Sequence, residues 1–263
     1  MDGLYSSLSG AMNLETRLRV VAHDLANINT PGHKRTRMTE ASEYPVVLSD
    51  LIHRSDPREF DTAAPEAASE GDLIYNRPLS SAVDFSQGAL RLTGAATDFA
   101  LDGPGFFAVE VDGAERYTRA GAFELDARGQ LSMRVDGRFV PVLGDTGPVT
   151  VTSAQFTVGS DGTVHGADGA VVGRLRTVQA DQPQRLERIG STLFADAAGQ
   201  AGVRPSLQGE TLIRQGALEQ SNGDPVSSLV EMIEIQRAYQ AVSKAMTTAD
   251  EATGRRITTS LNA

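Results

Sequence analysis

The residue types that carry out most chemistry in proteins are scattered along this chain. Its 263 residues contain no cysteine and four histidines, which are His23, His33, His53 and His165. No two histidines are four residues apart, the spacing with which one helix face presents a pair of zinc ligands, and no thiolate is present to complete such a site. The sequence therefore predicts no metal site and no thiol chemistry. His23 is predicted to lie on the polar side of a helix.

Two short glycine-containing segments have the residue types of a catalytic or nucleotide-binding loop but not its spacing. Residues 159–162 (GSDG) lack the spacing of a hydrolase nucleophile elbow and are interpreted as a turn. After residues 103–105 (GPG), Ala108 stands where a dinucleotide-binding fingerprint requires its third glycine. The carboxylates of Asp98 and Asp102 can be neighbours, but paired acids are common in β turns. We therefore expect no enzyme, no cofactor and no small-molecule substrate.

The charge pattern argues against nucleic acid as a partner. The formal net charge is −10 at pH 7, and the basic cluster of Lys34, Arg35 and Arg37 is too short for the basic stripe that nucleic acid requires. We interpret this cluster as a solvated turn. The first 18 residues lack the basic and apolar regions of a signal peptide, and no apolar run approaches the roughly 20 residues of a spanning helix. The sequence therefore predicts no cleaved signal peptide and no membrane insertion.

The first element that the sequence predicts is an amphipathic helix over residues 4–27. Apolar and small residues recur there at alternating spacings of three and four, the a/d repeat of a helix that packs along another helix. This N-terminal seam consists of Leu4, Ser7, Ala11, Leu14, Leu18, Val21, Leu25 and Ile28. The turn that follows contains Asn27, Asn29, Thr30, Pro31 and Gly32. It ends the helix because Pro31 disfavours the α conformation of its predecessor and Gly32 accepts positive φ.

The C-terminal segment predicts a second amphipathic helix. Asp224 is placed to cap free amides, and Pro225 to occupy the first helical position, where its missing donor costs nothing. The C-terminal seam, a second a/d repeat, consists of Met232, Ile235, Tyr239, Val242, Met246 and Ala249. A further apolar stripe beside it consists of Val226, Leu229, Val230 and Ile233. This wide apolar arc predicts contact with more than one partner.

Between the two helices the sequence predicts an all-β domain. From about Val83, short apolar runs are separated by turn dipeptides such as Asp112-Gly113, the pattern of a sandwich or barrel. We predict an α+β fold in which the N- and C-terminal helices form a coiled-coil-like helical domain beside an all-β middle domain. The predicted organisation is a helix and turn at 1–32, a linker or extended arm at 33–82, the β domain at 83–218, and the C-terminal helix at 219–263, pairing with the first.

The two seams predict self-assembly. A helix over residues 4–28 is about 37 Å long, so one small β domain cannot cover both seams. If six side chains of the N-terminal seam each contribute about 1.5 kcal/mol on burial, about 10 kcal/mol depends on a helical partner, as an upper limit. The helices either pair only with each other in a monomer or also pack against neighbouring copies in an open helical assembly. We favour the assembly, with the seam residues other than Ser7 and Ala249 as its interface.

Four segments in order along the chain resemble the signatures of the bacterial flagellar rod and hook protein family. They are LANINTPG at 25–32 with Lys34 after it, TDFALDGPGFFAV at 97–109, YTRAGAF at 117–123 with Leu125 and Asp126, and GALEQSN at 216–222 continued by MIEIQRAY at 232–239. Within this family, the length and the single β domain resemble a rod subunit more than a hook subunit. Residues 172–175 and 193–194 resemble the proximal rod member most, with the distal rod member as the alternative. His33 stands where the family commonly has phenylalanine.

The resemblance implies a structural subunit of the basal-body rod. Such a subunit stacks with copies of itself and with other flagellar rod proteins into a drive shaft that crosses the periplasm and transmits torque from motor to hook. The flagellar type III export apparatus delivers it without cleavage of a signal peptide. From the residues, one hypothesis of a different class stays open, a secreted β-domain binding module that uses its terminal helices only to oligomerise. Loss of motility on deletion of the helices separates the first hypothesis from the second.

Overall fold

The computed structural model of the protein describes residues 2–39, 46–47, 74–75, 80–151, 155–207 and 209–261. Within these residues there are two helices, α1 (Asp2–Ala26) and α2 (Pro225–Leu261), with 22 short strands between them. Helix α1 is about 37 Å long and α2 about 55 Å long. Both helices lie where the sequence predicts them, since α1 ends before the Asn- and Pro-containing turn and α2 begins at Pro225. No helix in the described ranges is long and apolar enough to cross a membrane.

The chain divides into two compact units. The first contains Met1–His23, Thr36–Ala82 and Val226–Ala263, and the second contains Asp24–Arg35 and Val83–Pro225. The last residues of α1 and the turn after it therefore belong to the same unit as most of the strands. Much of the predicted linker, residues 40–45, 48–73 and 76–79, lies outside the described residues.

Besides most of α1 and α2, the described residues of the first unit form four short strands, the last of which ends at Val83 in the second unit. They are β1 (Thr36–Thr39), β2 (Val46–Val47), β3 (Ile74–Tyr75) and β4 (Ser80–Val83). Strand β1 pairs with β4, and β2 pairs antiparallel with β3. Between the helices of this unit, the Arg17 guanidinium lies 3.6 Å from the Glu231 carboxylate.

The predicted coiled-coil-like helical domain is wrong. The part of the chain that is described has one N-terminal helix, one C-terminal helix and a large β-rich body, so only the α+β composition of the prediction is retained. A coiled coil buries its a and d side chains in holes of the partner helix. Among the described side chains of the C-terminal seam, only Ile235 is buried, and Tyr239 is 40% exposed. The a/d spacing identifies an apolar helix face, but it does not determine what covers that face.

The second unit is built around a six-stranded antiparallel sheet. Its strands are β7 (Phe106–Val111), β8 (Ala114–Thr118), β17 (Thr177–Ala180), β18 (Glu187–Ile189), β19 (Leu193–Ala195) and β20 (Val203–Pro205). Their spatial order is β18-β19-β8-β7-β17-β20. Asp112 and Gly113, with φ of 50° and 77°, connect β7 to β8 in a two-residue turn whose twist suits a hairpin. The predicted Asp-Gly turn is confirmed at this position.

Smaller antiparallel sheets complete the second unit. Two-stranded pairs are formed by β5 (Leu90–Leu92) with β22 (Ala217–Glu219), β6 (Phe99–Asp102) with β21 (Leu212–Gln215), and β12 (Leu143–Gly144) with β13 (Gly147–Pro148). Three-stranded sheets are formed by β9 (Phe123–Leu125), β10 (Leu131–Val135) and β11 (Arg138–Pro141), and by β14 (Thr157–Val158), β15 (Thr163–His165) and β16 (Val171–Arg174). The short strands that the sequence predicts are confirmed.

Phenylalanine side chains organise the core of the second unit in two clusters. In the larger cluster the rings of Phe107 and Phe123 meet edge to face with centroids 5.3 Å apart. In the smaller cluster the ring of Phe85 packs on Phe194 at 5.1 Å and on Phe106 at 5.5 Å. Such aromatic pairs bury large apolar areas in defined geometries. This unit therefore has a hydrophobic core of its own.

Candidate functional site

The turn after α1 packs closely against the strands of the second unit. The Gly32 amide donates to the Glu219 carbonyl oxygen at 2.8 Å. Gly32 has a φ of +70°, and a Cβ atom added to it would lie 2.2 Å from the Ala120 nitrogen. Only glycine satisfies both conditions, because a side chain disfavours this φ and fills space that the backbone occupies. Of the other predicted turn residues, Asn29 is exposed and three are half-buried, namely Asn27, Thr30 and Pro31.

Lys34 is fully buried, so the prediction of a solvated basic turn is wrong for this residue. Its ammonium group donates to the Glu219 carboxylate at 2.5 Å and to the Ser86 carbonyl oxygen at 2.6 Å. Arg35 is half-buried and lies 3.4 Å from the Asp84 carboxylate, whereas Arg37 is exposed. A buried ammonium is tolerated when its donors meet an anion and a carbonyl oxygen, and Lys34 meets both.

Glu219 pairs with a second cation. Its carboxylate accepts hydrogen bonds from the Arg119 guanidinium at 3.2 Å and from the Gly88 amide at 2.8 Å, in addition to that from Lys34. Arg119 also donates to the Gly103 carbonyl oxygen at 2.9 Å. We refer to Lys34, Arg119 and Glu219 together as the ionic cluster. None of its side chains is more than 4% exposed, so the cluster binds the turn to the strands and is closed to ligands.

The electrostatics of the ionic cluster depend on one carboxylate that serves two cations. Burial lowers the pKa of the Lys34 ammonium and that of the Arg119 guanidinium, and the negative charge of Glu219 opposes both changes. Removing one partner from such a site leaves an uncompensated buried charge, which is strongly destabilising. The carboxylate of Glu219 is therefore the group on which the arrangement depends.

The Asn222 side chain joins three segments of the second unit. Its amide oxygen accepts from the Arg35 backbone amide at 2.8 Å, and its amide nitrogen donates to the Asp84 carbonyl oxygen at 2.7 Å. Sequence reasoning assigned no role to Asn222, Glu219 or Arg119. All three lie inside segments that carry the family resemblance, which is the signal that marks them.

His33 is a second fully buried polar residue at the turn. Its Nε2 lies 3.1 Å from the Asp24 carboxylate, and its Nδ1 lies 2.9 Å from the Ser191 carbonyl oxygen. The Arg188 guanidinium donates to the Lys34 carbonyl oxygen and lies over the Phe194 ring, 5.7 Å from its centroid. His33 thus connects the last turn of α1 to the loop between β18 and β19.

The predicted assembly residues differ widely in exposure. In the N-terminal seam Val21 is buried and the other described side chains are half-buried: Ala11, Leu14, Leu18, Leu25 and Ile28. The side chain of Leu4 lies outside the described ones. In the C-terminal seam Ile235 is buried, Tyr239 is exposed, and the others are half-buried: Met232, Val242 and Met246. Leu25 and Ile28 belong to the second unit, whereas the other described seam residues belong to the first.

Among the side chains of α2 that the structure describes, the most exposed apolar surface is the stripe beside the C-terminal seam. It consists of Val226, Leu229, Val230 and Ile233, which are 67%, 48%, 51% and 48% exposed. We refer to these four residues as the α2 stripe. Their spacing places them on one helix face. An apolar face that stays open in a folded chain indicates a site of protein contact.

The second unit also has a cavity of about 250 Å³ beside the turn. Its lining consists of Ile28, Asn29, Pro31, Arg91, Leu218, Glu219 and Gln220. In the described part of the chain, no group of three or more histidine or acidic side chains has the arrangement of a metal site.

Two families of flagellar sequences match parts of this chain. The family described as flagellar hook protein FlgE/F/G D1 domain matches residues 100–166, and the family described as flagellar basal body rod FlgEFG protein C-terminal matches residues 214–258. The first match contains Arg119. The second contains Glu219, Asn222 and the α2 stripe.

Individual relatives match over nearly the full length. The chain is 34% identical over 251 residues to the flagellar basal-body rod protein FlgF of Caulobacter vibrioides, which covers 93% of this chain and 92% of the relative. It is 31% identical over 264 residues to the flagellar basal-body rod protein FlgG of Bacillus subtilis, covering 95% and 96%. The FlgG protein of Buchnera aphidicola is likewise 31% identical, over 265 residues.

Proposed function

Because the chain belongs to the flagellar basal-body rod protein family and is a structural subunit of the rod, we propose that it assembles with copies of itself and with other rod proteins through its terminal helices. The observation that carries this proposal is the α2 stripe. Its four apolar side chains are about half to two thirds exposed, although the same chain buries charged groups completely elsewhere. A neighbouring subunit that covers the stripe removes this apolar surface from water.

The size of the stripe supports a repeated contact rather than a single tight one. Burying the exposed half of four such side chains contributes about 4 kcal/mol as an upper limit. Stable isolated interfaces bury about 800 Å² on each partner, which four half-exposed side chains do not supply. Contacts of this strength hold a large structure when every subunit makes several of them, as in an open helical array. The half-buried seam residues of both helices are the proposed further contacts.

The proposal includes position and delivery as well as assembly. We place the subunit in the part of the rod that crosses the periplasm, in the proximal rod, where it transmits torque from motor to hook without any catalytic step. The flagellar export apparatus delivers it without cleavage of a signal peptide. Family membership supports a place in the rod. The resemblance of residues 172–175 and 193–194 to the proximal rod member supports the position within it, with the distal rod as the alternative, and the delivery route is what the family resemblance implies. N-terminal sequencing of the protein from purified basal bodies tests the delivery route, since the mature subunit is expected to retain Asp2 and Gly3, and a start beyond them contradicts it.

The central test is the substitution Leu229→Asp in the bacterium that carries this gene. An aspartate in the α2 stripe stays hydrated in the free subunit but loses its water in an assembly, where it opposes packing. We expect a folded, exported subunit with an unchanged melting temperature, absent from purified basal bodies, and a non-motile cell. Gln240→Asp, an exposed polar position on the same helix, is the matched control and retains motility.

Incorporation of the Leu229→Asp subunit into rods at the normal level contradicts assembly through this stripe. The variant Leu18→Asp extends the test to α1. A lowered melting temperature in this variant favours a monomer in which the two helices bury each other's apolar faces. The alternative of a secreted β-domain binding module is not favoured by the comparisons, because the relatives are rod proteins over their whole length.

A further inference from the structure

Asn222 is the one asparagine in this sequence that a glycine follows. Because glycine has no side chain, its backbone nitrogen is open to the preceding residue and the local backbone turns freely. An Asn-Gly pair is therefore the sequence in which an asparagine side chain cyclises onto the backbone most readily. On chemistry alone, Asn222 is the asparagine of this chain that is most prone to lose its amide in water.

The reaction has two steps, and water is its one co-reactant. First, the backbone nitrogen of Gly223 loses its proton to solvent base and attacks Cγ of Asn222. The new N–Cγ bond closes a succinimide ring, the Cγ–Nδ2 bond breaks, and Nδ2 takes a proton from solvent and leaves as ammonia. Water then opens the ring at one of its two carbonyl groups. The product is aspartate, or isoaspartate, in which the backbone continues through Cγ.

In the folded protein, hydrogen bonds hold the same amide group on both of its polar atoms. The oxygen of Asn222 accepts from the Arg35 backbone amide at 2.8 Å. The nitrogen faces three acceptors, the Asp84 carbonyl oxygen at 2.7 Å and the carbonyl and hydroxyl oxygens of Ser86, each at 3.1 Å. We refer to these contacts as the Asn222 junction. Departure of Nδ2 as ammonia removes both N–H donors, so reaction within the folded protein sacrifices the contacts with Asp84 and Ser86.

We propose that Asn222 is a deamidation site that folding protects, and that its conversion prevents the Asn222 junction from forming again. An ionised aspartate carries an oxygen where Nδ2 was, and that oxygen cannot donate a hydrogen bond. It faces the carbonyl oxygens of Asp84 and Ser86 with lone pairs against lone pairs. Isoaspartate inserts an extra backbone carbon before Gly223 and displaces the side group. A chain that reacts while unfolded thus loses the contact that joins residues 35, 84 and 222.

Mass spectrometry of the full-length protein tests the protection. The protein is kept in native buffer or unfolded in guanidinium chloride at the same mildly alkaline pH, and samples are digested with trypsin. Fragmentation of the peptide 215–237 locates the mass increase that accompanies replacement of NH2 by OH at Asn222. We expect conversion to be about 30-fold slower in native buffer, the factor for two ordinary hydrogen bonds. Equal rates in the two conditions, or no conversion in the unfolded chain, overturn the proposal.

The matched control for the chemistry is Gly223→Ala. A methyl group beside the attacking nitrogen hinders ring closure, so we expect slower conversion of this variant in guanidinium chloride. The comparison is made in the unfolded chain, because in the folded protein the added Cβ atom would lie 2.8 Å from Cδ1 of Ile28. Conversion of Gly223→Ala at the rate of the unchanged chain contradicts the assignment of the reaction to the Asn-Gly pair.

Refolding tests the consequence of the conversion. Chains held in guanidinium chloride until Asn222 has reacted are returned to native buffer. We expect their equilibrium constant for unfolding to be about tenfold larger than that of briefly unfolded chains, because a hydrogen-bonded amide has been lost. Gly223→Ala chains, measured before and after the same time in guanidinium chloride, control for isomerisation at the Asp-Gly pairs. An equal change in Gly223→Ala, or no change in the converted chains, overturns the proposal.

The variant Asn222→Asp isolates the aspartate product. We expect its equilibrium constant for unfolding to rise by about tenfold as well, since its carboxylate cannot donate to Asp84 and Ser86. The same change at the exposed Asn29, in the same unit, is expected to leave the constant within about twofold. Equal constants in Asn222→Asp and Asn29→Asp overturn the proposal.

Discussion

The ionic cluster and the α2 stripe reverse the usual distribution of polarity in a folded chain. Lys34, Arg119 and Glu219 are at most 4% exposed, whereas the four apolar residues of the stripe are 48–67% exposed. Each charge of the cluster nevertheless has a partner of opposite sign within the same unit, although the buried Nε of Arg119 has no hydrogen-bond partner among the described residues. The side chains of the stripe remain in contact with water. The difference teaches that the pairing of each group, and not residue type, distinguishes the structural region of this protein from the region proposed to assemble.

The largest effect that we expect comes from a substitution in the ionic cluster. Glu219→Gln removes the carboxylate that pairs with Lys34 and Arg119 and leaves both cations buried. We expect the free energy of unfolding to fall by about 4 kcal/mol. Urea unfolding followed by circular dichroism measures it, with Glu124→Gln, an exposed acid on β9, as the control. A loss below about 1 kcal/mol contradicts the role assigned to the cluster.

We expect a smaller loss of unfolding free energy from a substitution at Gly32, where the turn packs against the backbone of Ala120. Gly32→Ala introduces a methyl group 2.2 Å from the Ala120 nitrogen at a φ of +70°, and we expect a loss of about 3 kcal/mol in unfolding free energy. Gly113→Ala is matched to it in φ, at +77°, but has open space around the new atom, so the conformational cost of about 1 kcal/mol remains alone. Equal losses in the two variants contradict close packing at Gly32.

A surface ion pair sharpens the comparison further. Arg214 donates twice to the Asp102 carboxylate, at 2.6 and 2.9 Å, with both side chains more than a third exposed. Water replaces these contacts easily, so we expect Arg214→Gln to cost about 0.5 kcal/mol in the same urea experiment. If the unfolding free energy falls as much in Arg214→Gln as in Glu219→Gln, burial does not explain the contribution of the ionic cluster to stability.

The series ends with no expected change in stability. Leu229→Asp, the variant that tests assembly, exchanges a half-exposed leucine for a hydrated acid and leaves the unfolding free energy within about 0.5 kcal/mol. Its effect appears only in rods and motility. A large loss of unfolding free energy in this variant shows that the α2 stripe, like the ionic cluster, stabilises the folded subunit, and it contradicts the difference between the two regions.

Local chemistry determined what was predictable from the sequence. Helix α1 ends before Pro31, α2 begins at Pro225, and the Asp112-Gly113 turn joins two strands, because each depends on the φ preference of one or two residues. The family resemblance found the segments that contain Arg119 and Glu219, although not their roles.

Long-range pairing determined what was missed. Lys34 stands beside Arg35 in a short basic run and was interpreted as solvated, because its partner Glu219 is 185 residues further along the chain. The coiled-coil prediction failed for a related reason. A repeat of apolar residues shows which face of a helix avoids water, but the structure that covers the face is determined elsewhere in the sequence.

The amide of Asn222 has a consequence for how this chain tolerates changes in length. The Asn222 amide binds both Arg35 and Asp84, and the Asp84 backbone amide donates to the Arg35 carbonyl oxygen at 2.9 Å. These hydrogen bonds hold residues 35 and 84 next to each other. Both ends of the segment between residues 35 and 84 are therefore held by the same few hydrogen bonds, whatever number of residues separates β1 from β4.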